Sequence, residues 1–203
     1  RFRNIPRNRR LQTLAVTLCN FFVGMPFFML CAVAMLFVPV TMPFMVAYLI
    51  YIYTLGRPKP PLKRHKWCAG WVFYEHLRDY FPIRLVVPAE VKEKVDGTKN
   101  NFFCYHPHGV HSYGALVAFS TDACDIEGAF PGMHMHLQSL GSNFNVPLWR
   151  EFGRLCGTGD ASAKTLKDTL NAGPGESICL VVGGGEESLL AKPKTNQLIL
   201  EKR

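Results

Sequence analysis

The stretch NFFCYHPHGVHSYGALVAF, residues 101–119, holds a strand, a turn and a helix in succession. Asn101 to Tyr105 is apolar through Phe102, Phe103 and Cys104 and reads as a strand. Pro107 and Gly109 then punctuate the chain, and Ser112 to Phe119 continues as an apolar helix. Further strand-like runs fall at Ile83–Val87, Met133–Leu140, Ile178–Val182 and Gln197–Leu200, with a polar connection at Val91–Asn100. Helical patterns at Pro147–Leu155 and Ala161–Asn171 lie between them, the second with Asp160 or Ser162 as N-cap and Gly173 beyond its end. Strands alternating with helices predict an α/β sheet domain, here spanning residues 57–203.

Upstream the chain changes character. From Leu11 to Gly56 there is no Asp, Glu, Lys, Arg or His. One spanning helix needs about 20 apolar residues, so a run of this length suits two. Pro39 and Pro43 interrupt it near the middle and predict a transmembrane helical hairpin, with helices near 12–35 and 41–55. Arg7, Arg9 and Arg10 precede it and Arg57, Lys59, Lys63, Arg64 and Lys66 follow, which places both ends on the cytosolic side. Trp67, Trp71, Phe73, Tyr74, Tyr80 and Phe81, mixed with Glu75, Arg78 and Asp79, fit either a helix at the bilayer interface or one covering the domain's own core.

The net charge of +8 does not point to nucleic acid. Five of the 23 basic residues lie in the first ten positions, and the remaining 18 nearly balance 15 acidic ones. A basic arm over residues 1–10, next to an apolar run, suits anionic headgroups of a lipid bilayer. Seven cysteines, an odd number with no C-x-x-C pair, exclude a disulfide framework and a zinc ribbon. The chain opens on Arg1 and stops at Leu-Glu-Lys-Arg203 just after a strand-like run, so it reads as a C-terminally incomplete fragment.

Tyr105-His106-Pro107-His108-Gly109-Val110-His111 is the densest cluster of chemistry, at the strand-to-helix point where open α/β sheets place ligands. Three readings are open. The histidines could be surface residues of a turn. His106, His108 and His111 match the histidines of an H-x-H-x-D-H metallo-hydrolase site, but Val110 stands where the aspartate belongs. Third, a neutral imidazole at His108 can take a proton from an attacking hydroxyl, with the N–H groups of Gly109 and Val110, at the start of the following helix, facing the oxyanion. Glu187, after a strand and a Gly-rich turn, either satisfies a helix start or orients the histidine. Arg150 and Arg154, one helical turn apart, are candidates to grip the phosphates of CoA. His134 and His136 share one face of a strand and read as core or surface residues. No G-x-S-x-G elbow or phosphate loop is present.

HPHG after an aromatic strand resembles the signature of the type 2 diacylglycerol acyltransferase family, which includes monoacylglycerol and wax-alcohol acyltransferases. Nearly the whole chain is similar to it: Arg9-Arg10-Leu11-Gln12-Thr13 entering the apolar run, Tyr80-Phe81-Pro82, Asn143-Phe144 with Pro147 and Arg150-Glu151, and Val181-Val182-Gly183-Gly184 followed by Glu187-Ser188. Gly185 and Glu186 replace two alanines of the family pattern and His111 an apolar residue, while its R-x-G-F block would begin near Arg203. The resemblance implies a membrane-anchored acyltransferase-like domain that moves an acyl group from acyl-CoA, as cosubstrate, onto a neutral glycerolipid, with no metal or other cofactor. It implies His108 as base with His106 beside it, Pro107 shaping the turn, and Glu187 rather than Glu186 as the coupled acid. It also implies the endoplasmic reticulum membrane, with the lipid droplet as a second location, and leaves a homo-oligomer open. A metal-dependent hydrolase on His106, His108 and His111 and a non-catalytic membrane-hairpin scaffold are the competing readings.

Overall fold

The computed structural model of the protein describes residues 5–23, 25–54 and 63–192, with the side chains of residues 22, 23 and 186 left aside. The end of the basic arm and the apolar run fold as α1 (Arg7–Leu18), a π-helical turn (Cys19–Val23), α2 (Met25–Phe37) and α3 (Met42–Thr54). The first expected helix, 12–35, is therefore two, with their axes bent by 57°. No single described helix is long and apolar enough to cross a membrane, although the bent pair passes that test together. Between α2 and α3 the chain turns at 38–41, where the Thr41 hydroxyl donates to the carbonyl of Met35 at 2.7 Å. Pro39 supplies no amide hydrogen to continue a helix there.

Next come α4 (Lys66–Ala69), α5 (Val72–Tyr80) and α6 (Ala89–Lys94). The aromatic segment thus folds as α4 and α5, with Tyr74 and Leu77 buried and Trp67 exposed. Ile83–Val87, expected as a strand, has no regular secondary structure and joins no strand of the described sheet; Leu85 and Val87 instead pack on the core. The polar connection 91–100 contains most of α6, since Pro88 at its N-cap fixes a helix-compatible start.

The domain's frame follows as β1 (Phe102–Tyr105), α7 (Tyr113–Phe119), α8 (Ile126–Ala129), β2 (His134–Ser139), α9 (Trp149–Leu155), β3 (Gly159–Asp160), α10 (Ala163–Leu170), β4 (Glu176–Val181) and α11 (Gly184–Leu190). The four strands form one wholly parallel sheet in the order β1-β4-β2-β3, so the domain is α/β as expected. The expected strand at Gln197–Leu200 lies outside the described residues. β3 was not legible in the sequence, being two residues without an apolar run.

Register assigns the two faces. Cys179 aligns with Leu137 and Phe103, and these pack with Met135, Ala115, Ile126, Phe130 and Met133 as the core beneath α7 and α8. The opposite face carries His136, Gln138 and Ile178. Ser162 caps α10 as its side chain accepts from the Thr165 amide, the local reason the helix starts there.

The N-terminal helices are bonded to this domain. Tyr113 donates to the Asn20 side chain at 2.5 Å, Tyr53 to the Asn145 carbonyl at 3.0 Å, and Tyr48 to the Glu151 carboxylate. Arg9 sits over the Tyr80 ring, 4.8 Å from its centre. Outward-facing apolar side chains concentrate around the turn of the hairpin, with Phe37 82 %, Val40 75 % and Phe44 72 % exposed.

Candidate active site

Strand order explains why distant residues meet. β1 is followed by β2, but β4 lies between them, so the turns leaving β1 and β4 are neighbours at the carboxyl edge of the sheet. Tyr105 and Val181 are the last pair in register, and the Val182 amide donates to the Tyr105 carbonyl at 3.4 Å. One turn carries His108 and the other leads to Glu187 and Ser188.

Gly109, at φ +62°, and Ser112, at φ +49°, bend the chain back before α7. Gly109 and Val110 therefore belong to a turn and are not the first residues of the helix, which begins at Tyr113. The sequence placed the helix start too early because a left-handed serine leaves no compositional mark. On the other side, Gly183 at φ +97° has a steric duty: a Cβ there would fall onto the Glu187 carboxylate. Glycine lets that carboxylate fold back toward β1.

Glu187 is 3 % exposed, and its Oε1 accepts the backbone N–H of His108 at 2.5 Å. The acid thus reaches the histidine through the main chain. The side chain of Glu186 lies outside the described residues.

The imidazole is held by its other edge. His108 Nδ1 is 2.7 Å from the Gly109 carbonyl oxygen and 2.7 Å from the Ser188 hydroxyl. A carbonyl only accepts, so the ring proton belongs on Nδ1. Ser188 donates onward to the carbonyls of Gly109, at 3.0 Å, or Gly184, at 3.2 Å, leaving its lone pair for Nδ1–H. Ser112 donates to the His108 carbonyl at 2.8 Å and closes the turn. With Nδ1 protonated, Nε2 carries the lone pair, and it has no partner among the described residues.

A cleft of about 620 Å³ lies against this ring. Pro107, His108, Gly109 and Val110 form one wall; Phe81, Tyr113 and Asn20 form another. Asn20 comes from the apolar N-terminal segment, so the cleft opens beside it. Phe81 and Tyr113 stack with ring centres 5.1 Å apart. Burial pushes the Tyr113 phenol up to about 12, so it stays a neutral donor to Asn20. Burial also raises Tyr105, at the end of β1.

Of the other histidine and arginine candidates, only His111 lines the cleft. His106 is exposed and does not line the cleft, and His111 is exposed with its ring 5.5 Å from that of Tyr113. His106, His108 and His111 do not converge: among the described residues no group of three His, Cys, Asp or Glu side chains is placed to hold a metal. His136 is buried against Glu176 at 2.5 Å, while His134 is exposed. Arg150 is buried and lines a separate cavity across the sheet, and Arg154, half-buried one turn further along α9, does not line that cavity.

Ser188 escaped sequence reasoning because a hydroxyl next to a conspicuous glutamate carries no signal of its own. Asn20, Phe81 and Ser112 escaped it because their elements meet only in three dimensions. Ser188→Ala removes one neutral hydrogen bond to the ring, and turnover should fall roughly 3- to 10-fold with folding unchanged. Initial rates of the purified variant and its thermal melt check this; an unaltered rate excludes Ser188 from holding the ring.

A family model described as diacylglycerol acyltransferase matches residues 34–203. Diacylglycerol O-acyltransferase 2 of Dictyostelium discoideum is 36 % identical over 201 residues, covering 98 % of this chain and 59 % of that protein. Diacylglycerol O-acyltransferase 2A of Umbelopsis ramanniana is 36 % identical, covering 98 % of this chain and 55 % of that protein. Diacylglycerol O-acyltransferase 2 of Homo sapiens is 33 % identical, covering 85 % and 45 %. The chain therefore spans somewhat more than half the length of the first relatives it matches. No solved structure matches it. With the family model over residues 34–203 and relatives matching nearly its whole length, the chain belongs to the diacylglycerol acyltransferase family.

Proposed function

We propose that this chain is the core of an acyl-CoA-dependent O-acyltransferase that esterifies the free hydroxyl of diacylglycerol to give triacylglycerol, with His108 as general base. The observation that carries the base assignment is the pinned ring: Nδ1–H is spent on Gly109 and Ser188, and Nε2 keeps its lone pair on a residue that lines the cleft. Nε2 takes the proton of the acceptor hydroxyl while that oxygen attacks the thioester carbonyl. A C–O bond forms, and collapse of the tetrahedral oxyanion breaks the C–S bond. The leaving sulfur takes the proton from Nε2, so no covalent enzyme intermediate is required. Backbone N–H groups of Gly109 and Val110, two residues of the turn that line the cleft, are the proposed donors to the oxyanion.

The acceptor follows from the relatives' names and from the cleft's border on the apolar helices. Labelled acyl-CoA supplied to the full-length protein with diacylglycerol, monoacylglycerol and long-chain alcohols tests it. Fastest labelling of triacylglycerol is expected. Preference for monoacylglycerol or the alcohol would keep the chemistry and change the substrate, and no esterification of any acceptor would overturn the reaction.

The membrane reading divides the chain into a basic arm, 1–10, an apolar hairpin, 11–56, and an α/β domain, 57–203, held at the endoplasmic reticulum membrane with the domain in the cytosol. Support comes from the exposed apolar side chains around Phe37–Phe44 and from the basic residues flanking both ends. α2 and α3 have 13 residues each, about 20 Å, against a hydrocarbon core of about 30 Å. A hairpin that enters and returns on one side is the expected topology. Protease added to sealed microsomes should cleave both the arginine arm and the 57–66 linker; protection of one of them would mean a single crossing.

A further inference from the structure

A second cavity, of about 540 Å³, lies between β2, α9, α10 and the end of α3, on the sheet face that does not carry the core under α7. Arg150 is 4 % exposed and lines it. Nη1 of this side chain donates to the Ile52 carbonyl at 3.1 Å, which ties down the end of α3. Nε and Nη2 have no hydrogen-bond acceptor among the described residues; the Glu151 carboxylate, at 3.6 Å from Nε, is too far to be one. Gln138, 3 % exposed and lining the same cavity, presents an Oε1 that no described donor reaches. Polar groups so deeply buried are nearly always satisfied, and here the shortfall falls on two neighbours that share one cavity. Nε–H and Nη2–H of an arginine point the same way and form a side-on fork for two oxygens of one phosphate.

The rest of the wall fits a nucleotide. Phe144 and Tyr53 offer aromatic faces, and Asn145 and Gln138 offer amides. Ser162, the N-cap of α10, and Thr165 in its first turn stand beside Lys164, whose side chain is 86 % exposed. The two carboxylates present are already engaged: Asp168 with Lys164 at 2.7 Å, and Asp160 with the Ser162 amide at 3.0 Å.

We infer that this cavity binds the phosphate-bearing nucleotide of acyl-CoA, with a phosphate on the Arg150 fork and the purine against Phe144 and Tyr53. The inference rests on the acyl-CoA reading above and adds where the donor lies. β1 and β3 are three strand spacings apart, roughly 14 Å. An extended pantetheine arm bridges such a distance, so a nucleotide over β2 and β3 leaves its thioester near His108.

The test uses the full-length protein and two donors, an acyl-CoA and the corresponding acyl-pantetheine, which lacks the nucleotide. In Arg150→Gln the preference for acyl-CoA over acyl-pantetheine, as a ratio of kcat/KM values, should fall about 10- to 100-fold, mostly through KM. If Arg150 only anchors α3, both donors lose equally and the ratio stays, which overturns the site. Should Arg150→Gln fail to fold, Lys164→Glu, at an exposed position, reads the same ratio and should lower it several-fold. Adenosine 3′,5′-bisphosphate should compete with acyl-CoA and bind at equilibrium without any turnover. Competition by phosphatidic acid vesicles with none by the bisphosphate would assign the cavity to a lipid headgroup and overturn the proposal. Absence of bisphosphate binding sinks the nucleotide site; absence of transfer from both donors, with the bisphosphate still bound, sinks only the reaction.

Discussion

Alanine at position 108 should remove acyl transfer while leaving the protein folded and on the membrane. Loss of a general base costs about 10²–10⁴-fold, and no other described imidazole lines the cleft except His111, whose ring faces Tyr113. The ring bonds only within its own turn and to Ser188, and it belongs to neither core cluster, so truncation opens no core cavity. On the membrane reading proposed above, attachment rests on α2 and α3, whose exposed apolar side chains do not line the cleft at this turn. Incorporation of labelled acyl chains into triacylglycerol, together with flotation of the variant with liposomes, measures the two properties separately. His106→Ala is the matched control: that side chain is exposed and outside the cleft, so its rate should stay within about threefold of wild type, the scale of one weak surface contact. Near-normal transfer by the His108 variant would remove the mechanism, and equal losses at both positions would assign the effect to the turn rather than to the base.

How much of this could be read beforehand depends on the range of the forces involved. Strands β1 and β4 announce themselves by short continuous apolar runs, at 102–105 and 178–182. Ser162 announces α10, since capping is a contact between residues three apart. The break between α1 and α2 is poorly legible: Gly24 and Pro26 mark a weak point, but the 57° bend depends on packing against α5 and α7, where Cys19 joins Leu77 and Val117. Ile83–Val87 has the composition of a strand, yet it joins no strand of the described sheet, and packing of Leu85 and Val87 on the core decides its course. At the site, His108 and Glu187 were visible as types in a motif. Their contact was not, because it depends on β4 inserting between β1 and β2. The unmet donors of Arg150 are further from reach still, since a sequence shows an arginine and never how many of its hydrogen bonds are made.

Glu187→Ala should be nearly as damaging as loss of the histidine, and Glu187→Gln much less so. The carboxylate accepts the His108 backbone N–H from a site that is 97 % covered, so it fixes the turn on which the imidazole stands. Alanine leaves that amide without an acceptor and frees the turn to shift. A displacement of about 1 Å at a reacting group is worth about 10²-fold in rate, and that is the expected fall in kcat. Glutamine keeps an oxygen at Oε1 and should hold the turn, losing only the negative charge near the imidazolium that forms during transfer; roughly 10-fold is expected, the worth of one charge-assisted hydrogen bond. With the proposed nucleotide site on the other face of the sheet, KM for acyl-CoA should change little in either variant, and this separates positioning of the base from loss of substrate binding. A thermal melt within a few degrees of wild type separates it from unfolding. If glutamine costs as much as alanine, the charge matters more than the acceptor, and Glu187 must act on the ring itself. If alanine is silent, the turn is held by Gly109, Ser112 and Ser188 without it, and the acid has no part in placing His108.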